Sequence, residues 1–175
     1  TQIAAVLERV GADFNGTMDG GTITMVKDSA SLIGSDGATA RSFDNMTVGE
    51  DGKLYIQEDP GNSSYIAKTW SFDPATGKFT QILESDRSRF LPGATFLTQD
   101  EENSGIIEVT SILGRNDGKR YFLADTQAHY GIPGELVEGG QLYVVSMPVP
   151  EPESYAMFLA GLGLLGLAAR RRNAK

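Results

Sequence analysis

The C-terminal end of this chain cannot join a water-soluble fold on ordinary terms, and that limits the folded part to what precedes it. Pro148, Pro150 and Pro152 bracket Glu151 and Glu153 in the string V-P-E-P-E-S. An apolar run follows from Tyr155 to Ala169, broken only by Gly161, Gly163 and Gly166, and Arg170, Arg171 and Arg172 close it beside the terminus. As a helix, fifteen such residues rise about 22 Å, short of a hydrocarbon core of roughly 30 Å. Snorkelling flanks or local thinning make up the difference. The arginines belong on the cytoplasmic side, which leaves everything before Pro148 outside. The small residues Ala160, Gly161, Gly163 and Gly166 permit close helix approach. The plain alternative is a buried core helix, but such a helix seldom ends in three arginines at the chain terminus.

A stiff proline linker, an apolar stretch and a terminal basic cluster, in that order, resemble the PEP-CTERM signal recognised by exosortases in Gram-negative bacteria. Pro150, Glu151 and Pro152 carry the motif, and Arg170, Arg171 and Arg172 its basic end. The resemblance implies a sorting segment over 148–175, containing one transmembrane helix. It also implies exosortase as a processing partner and transient residence in the inner membrane. The destination is then the cell surface or extracellular matrix, where extracellular polysaccharide is a possible partner.

Composition agrees with export. The 175 residues include no cysteine, carry a net charge of −8 and give a pI near 4.6. A disulfide framework and thiolate metal sites are therefore excluded within these residues, and the acidity argues against a nucleic-acid partner. Acidity suits divalent-cation binding too, although a solvated acidic surface is its commoner meaning. The chain opens at Thr1 without an initiator Met or an apolar export signal. Because a surface-sorted protein must first be exported, the expectation is a C-terminal fragment whose site is partial.

Between the ends the pattern is all-β. Phe43 to Val48 reads as a strand, Glu50-Asp51-Gly52-Lys53 as an Asp-Gly hairpin turn, and Leu54 to Gln57 as the returning strand. Leu54 and Ile56 would lie on one face and Tyr55 on the other. After the break at Asp59-Pro60-Gly61-Asn62, Ser64 to Phe72 alternates. Asp73-Pro74-Ala75-Thr76-Gly77 turns, and Lys78 to Leu83 returns. Four short antiparallel strands in about forty residues match one β-propeller blade.

A second unit has strands at Ile106 to Ile112, Arg120 to Asp125 and Gln141 to Ser146, with a turn at Arg115-Asn116-Asp117-Gly118. Thr22 to Val26 and Ser31 to Ile33 suggest a third, and Gln2 to Val10 a further strand. The expected architecture is a partial propeller over 1–147, made of consecutive four-stranded blades, followed by a single apolar helix. A β-sandwich is the competing arrangement.

Two groups of strings resemble PhoX-type alkaline phosphatases. One is Phe43-Asp44-Asn45-Met46, the Asp-Gly turn and Leu54-Tyr55-Ile56-Gln57-Glu58-Asp59. The other is Glu102-Asn103-Ser104-Gly105, Asn116-Asp117-Gly118 and Gln127-Ala128-His129. The resemblance spans roughly residues 40 to 147. It implies a six-bladed propeller that holds calcium and iron in its channel and hydrolyses phosphomonoesters. Glu102 would be a metal ligand, Asp44, Glu58 and Asp59 further ligands or channel neighbours, and His129 the catalytic histidine. Ala128 separates His129 from Gln127 and the next proline is displaced to Pro133, both departures from the family pattern.

The residues carry their own reading. Asp100, Glu101 and Glu102 are successive carboxylates followed by Asn103, Ser104 and Gly105, expected in a loop. Such hard oxygen donors suit calcium, magnesium or manganese, which polarise a phosphoryl oxygen and activate water. The simplest alternative is a solvated acidic loop. Glu58-Asp59-Pro60-Gly61-Asn62 is equally an acidic channel-mouth loop or a turn chosen for its backbone. His129, the only histidine, donates to phosphate in one reading and merely packs in the other. Trp70 and Phe72 read most simply as blade-packing aromatics, and Arg87 and Arg89 beside Phe90 as a surface loop able to hold an anion. On these grounds two functions stand: an exported phosphomonoester hydrolase, and a non-catalytic surface or biofilm-matrix binding protein.

Overall fold

The protein is described by a computed structural model that covers residues 5–9, 21–149 and Leu162. Two antiparallel sheets and a two-stranded ladder make up almost all of it. The ladder pairs β1 (Ala5–Arg9) with β2 (Gly21–Met25). The first sheet is a meander of β3 (Phe43–Val48), β4 (Leu54–Glu58), β5 (Lys68–Asp73) and β6 (Lys78–Glu84). The second contains β7 (Glu101–Glu108), β8 (Lys119–Gly131) and β9 (Glu138–Pro148). Among the described residues up to 149, helix is limited to single turns: a 3₁₀ turn at Ser29–Ser31, α1 (Arg87–Phe90) and α2 (Thr110–Leu113).

Local chemistry explains the hairpins. At the β3–β4 turn Gly52 takes φ of +74°, a conformation that costs a glycine nothing, while the Asp51 carboxylate accepts the Lys53 N–H at 3.1 Å. At the β5–β6 turn the Gly77 N–H reaches the Asp73 carbonyl at 2.8 Å and Asp73 Oδ1 accepts from Ala75 N at 2.9 Å. These two turns form where expected, whereas Arg115 to Gly118 is a bend that follows α2 and not a hairpin turn. Several boundaries differ, among them β8 and β9, which are longer than the expected Arg120 to Asp125 and Gln141 to Ser146.

The strand expected over Ser64 to Phe72 begins only at Lys68, because the backbone N–H groups of Ala67 and Lys68 are taken by the Glu101 and Glu58 carboxylates. The strand expected over Ile106 to Ile112 lies earlier, at Glu101–Glu108, and the chain then coils into α2, which ends at Gly114 with φ of +60°. The acidic stretch from Glu101 is consequently strand, not loop. Ser31 to Ile33 is no strand either. Asp28 caps a 3₁₀ turn there, and Ile33 makes only an isolated bridge to Thr39.

Both faces of the first sheet are covered, so Tyr55 and Ile56 are alike buried although they point to opposite sides. On one side Trp70 packs with Leu32 and Ala40, flanked by Phe43 and Phe79. On the other, Tyr55 meets Ile106, Phe122 and Ala124, with Ile82, Tyr143 and Met147 closing the cluster. The Tyr55 and Phe122 rings lie 4.5 Å apart, which ties β4 to β8 across the sheets. Fully burying a side chain such as Phe122 stabilises a fold by about 1.5–3 kcal/mol. A third cluster of Ile66, Phe90 and Ala128, with Leu91 and Tyr130, seals the end beneath α1.

Contact between the sheets is not uniform. β3 and β4 lie directly against β7. Toward β6 and β9 the sheets diverge, leaving clefts of about 500 and 460 Å³ between them. Among the described residues the arrangement is mostly β with no closed barrel, and the second sheet has three strands where a four-stranded blade was expected. Among the described residues no helix is long and apolar enough to cross a membrane. The expected apolar helix over 155–169 falls outside the described residues except for Leu162, which is helical and 50 % exposed.

Candidate functional site

β4 and β7 deliver the carboxylates. Period-two alternation along β7 turns Glu101 and Asn103 inward, where both are buried, and leaves Glu102 on the opposite face in register with Gln127 of β8. Asp59 follows β4 directly, with its Oδ1 accepting the Gly61 N–H at 3.0 Å. Its carboxyl group meets that of Glu102. Burial, then the shared hydrogen bond and like charge of Asp59, push the Glu102 carboxyl above the usual range, while Ser104 and His129 pull it back.

His129 stands at the edge of this pair. Its backbone N–H donates to the Asp100 carbonyl at 2.8 Å. Its Nδ1 lies 2.6 Å from Glu138 Oε2, and its Nε2 lies 3.3 Å from the Gln127 amide nitrogen. In the neutral ring, donation from Nδ1 to Glu138 leaves Nε2 to accept from Gln127; in the charged ring both nitrogens are donors and Nε2 loses that bond. The Glu138 hydrogen bond raises the imidazole pKa, burial opposes it, and the charges of Glu138, Asp100 and Glu102 add to the rise. The arrangement sets a carboxyl with a raised pKa beside an imidazole whose pKa is also raised.

Glu58 lies elsewhere and is fully committed. Its Oε1 accepts from Arg41 N at 3.0 Å, the Tyr65 hydroxyl at 3.0 Å and Trp70 Nε1 at 3.1 Å. Its Oε2 accepts from the Tyr65 hydroxyl at 2.9 Å and Lys68 N at 2.9 Å. The side chain is wholly buried, which raises its pKa, and the four donors lower it. Asp44 is exposed on β3 and, among the described residues, accepts only from the Asn45 amide at 3.1 Å. Of the four carboxylates singled out in the sequence, the fold therefore brings together Glu102 and Asp59. Among the described residues no three carboxylate or imidazole groups surround a point that could hold a metal ion.

Sequence reasoning missed the groups that join the sheets. Glu101 Oε1 accepts the Ala67 N–H at 2.8 Å, yet its Oε2 has no hydrogen-bond partner. The Ser85 hydroxyl lies beside it and is likewise unpartnered in geometry. Burial pushes the Glu101 carboxyl up to about 7, against the pull of the Ala67 and Glu101 N–H groups, Ser85 and Lys68. Arg120 joins Asp51 and, at 3.0 Å, Glu108, while Glu108 Oε2 accepts the Glu50 N–H at 2.7 Å. Lys68 is buried with its ammonium 3.2 Å from Asp36 and 3.8 Å above the Tyr65 ring. For Glu101 a signal existed: read as strand, the string E-E-N-S puts alternate residues inside.

Compared with known proteins, the chain matches the PEP-CTERM protein-sorting motif over residues 148–172. No curated protein and no solved structure matches it. The motif is the recognition signal for exosortase processing and marks an exported protein sorted to the cell surface. The Pro-Glu-Pro and triple-arginine residues singled out from sequence all lie within the matched span.

Proposed function

We propose that the chain is a surface or extracellular-matrix binding module, delivered by exosortase, and that its β unit is a non-catalytic part of a β-propeller. The observation that carries the reading is the direct continuation of β9 into the sorting motif: the strand ends at Pro148, where the matched span begins. The β unit and its address therefore share one uninterrupted chain. The wedge between the sheets supports the blade assignment, since blades radiating from an axis approach at their first strands and part toward their last. Here β3 and β7, the first strands, are close, and the clefts open between β6 and β9. The buried carboxylates Glu58 and Glu101 serve as hydrogen-bond anchors, consistent with a scaffold role.

A second reading, an exported metal-dependent phosphomonoester hydrolase, is favoured by one observation: Glu102 and Asp59 meet beside His129. Hydrolysis of p-nitrophenyl phosphate by the full chain, with and without calcium and ferric ion, separates the two. A binding module releases no phosphate under any loading. Metal-dependent release that Glu102→Gln abolishes without unfolding the protein would establish the hydrolase instead.

A further inference from the structure

The larger cleft between the sheets has the composition of a ligand site. It measures about 500 Å³, inside the range of about 300–1,000 Å³ common for small-molecule sites. Its floor is aromatic, formed by buried Phe90 with Tyr130 and Tyr143 half-buried beside it. Gly140 lies on the lining, and its neighbour Gly139 sits against Tyr130. The Tyr130 ring lies so close over Gly139 that any Cβ there would fall within it. The polar groups on the lining are unequally occupied. Thr126 donates to Asn103, and Glu84 and Asp86 are bound to Arg87 and Ser88. Among the described residues the exposed Arg89 guanidinium makes no ion pair, although it feels the charge of Asp86, and the Gln141 amide makes no hydrogen bond, while the Ser85 hydroxyl lies beside the Glu101 carboxyl.

We infer that this cleft binds a sugar unit bearing a carboxylate, with the pyranose ring against Tyr130 and Tyr143, the carboxylate on Arg89 and ring hydroxyls on Gln141. Aromatic faces bind the C–H face of a sugar while leaving its hydroxyls to edge groups. A guanidinium without a partner is suited to a two-point hydrogen bond with a carboxylate. Glu84 and Asp86 at the rim disfavour polyanions such as nucleoside diphosphates but tolerate one negative charge held on Arg89. This inference rests on the binding-module reading and names its ligand.

The test is calorimetric titration of the full chain in mild detergent with cellobiouronate and with cellobiose, a pair that differs by a single carboxylate. Wild-type protein is expected to bind the uronate at least about tenfold more tightly than the neutral sugar. Arg89→Gln should erase that preference with thermal stability unchanged, and Tyr143→Ala, which also thins the Tyr55 cluster, should weaken both sugars in protein that circular dichroism shows to be folded. No uronate binding by the wild type, equal affinity for both sugars, or binding indifferent to both substitutions overturns the inference. A protein that is inert toward p-nitrophenyl phosphate and also fails to bind either sugar loses this ligand assignment alone. Phosphate release would instead remove the binding-module reading beneath it.

Discussion

Glu101 of the second sheet accepts the backbone N–H of Ala67 in the first at 2.8 Å, a side-chain bridge buried between the two sheets. The N–H it occupies is one that a continuous β5 would otherwise direct to a neighbouring strand. The second oxygen of the same carboxyl has no hydrogen-bond partner. A buried carboxyl with one oxygen satisfied is easier to keep protonated than ionised, which is why burial carries it up to about 7 from an ordinary 4.5.

The sign of the pH dependence follows. The native state holds the Glu101 proton between about 4.5 and 7 whereas the unfolded state has released it, so the folded protein binds more protons and stability falls as pH rises through that window. His129 acts in the same direction. Its raised pKa contributes stability below the unfolded value of 6.5, lost as pH climbs past the folded one. Urea denaturation from pH 4.5 to 8 should show declining stability. Glu101→Gln, neutral at every pH and still able to accept from Ala67, should flatten the Glu101 part of the slope. An unchanged slope in that variant would place the titration elsewhere.

At lower pH the sign reverses for Asp36. Burial would raise its carboxyl, but the Ala38 N–H, Lys68 and Arg87 outweigh it and lower the pKa to about 2. Its contribution is present above the unfolded value of 3.8 and disappears as pH falls toward 2. Asp36→Asn should therefore lose stability at pH 7 and show a weaker acid dependence below 4. Acid titration followed by circular dichroism checks both.

Glu58→Ala should be among the most damaging single substitutions in the chain. It leaves the Tyr65 hydroxyl, the Trp70 indole N–H and the N–H groups of Arg41 and Lys68 without their acceptor. Buried donors stranded in this way cost about 1–3 kcal/mol each when no water replaces the partner, so a loss of at least about 3 kcal/mol is expected. Tyr65→Phe removes one donor and should cost about 1 kcal/mol. Comparable losses from the two would mean the network is not built around Glu58.

Gly139→Ala should displace the Tyr130 ring, because the new methyl group occupies the ring's position. Overpacking of this kind costs about 1–3 kcal/mol. The displaced ring should also weaken sugar binding at the cleft, which calorimetry on the variant measures.

The hairpins were legible in the sequence because their turns are set by local chemistry. Asp51-Gly52 and Asp73 to Gly77 form the expected turns, and the alternation beside them marks the strands. Strand limits were less legible where a distant group decides them. Nothing near Ser64 announces that Glu101, far along the chain, will take the Ala67 N–H. The acidic run at Asp100 to Glu102 resembled a solvated loop because charged residues rarely occupy strand interiors, and Glu101 does so only because the first sheet supplies a donor. Of the candidate site, the proximity of Asp59 and Glu102 is a consequence of β4 packing on β7, a tertiary fact that neither string contains. The sorting motif was the most legible feature, since its order of proline, apolar run and arginines needs no fold to be recognised.

The most direct measurement is the intact mass and location of the full chain, placed behind an export signal, in a bacterial host with exosortase and in the same host lacking it. With exosortase present, the protein is expected at the cell surface or in the medium with its C-terminal tail removed. Without the enzyme it should stay membrane-associated at full length. Replacing Pro150, Glu151 and Pro152 by alanine should reproduce the second pattern in the first host. Identical mass and location in both hosts, or processing indifferent to those three residues, would contradict delivery of this β module by its sorting motif.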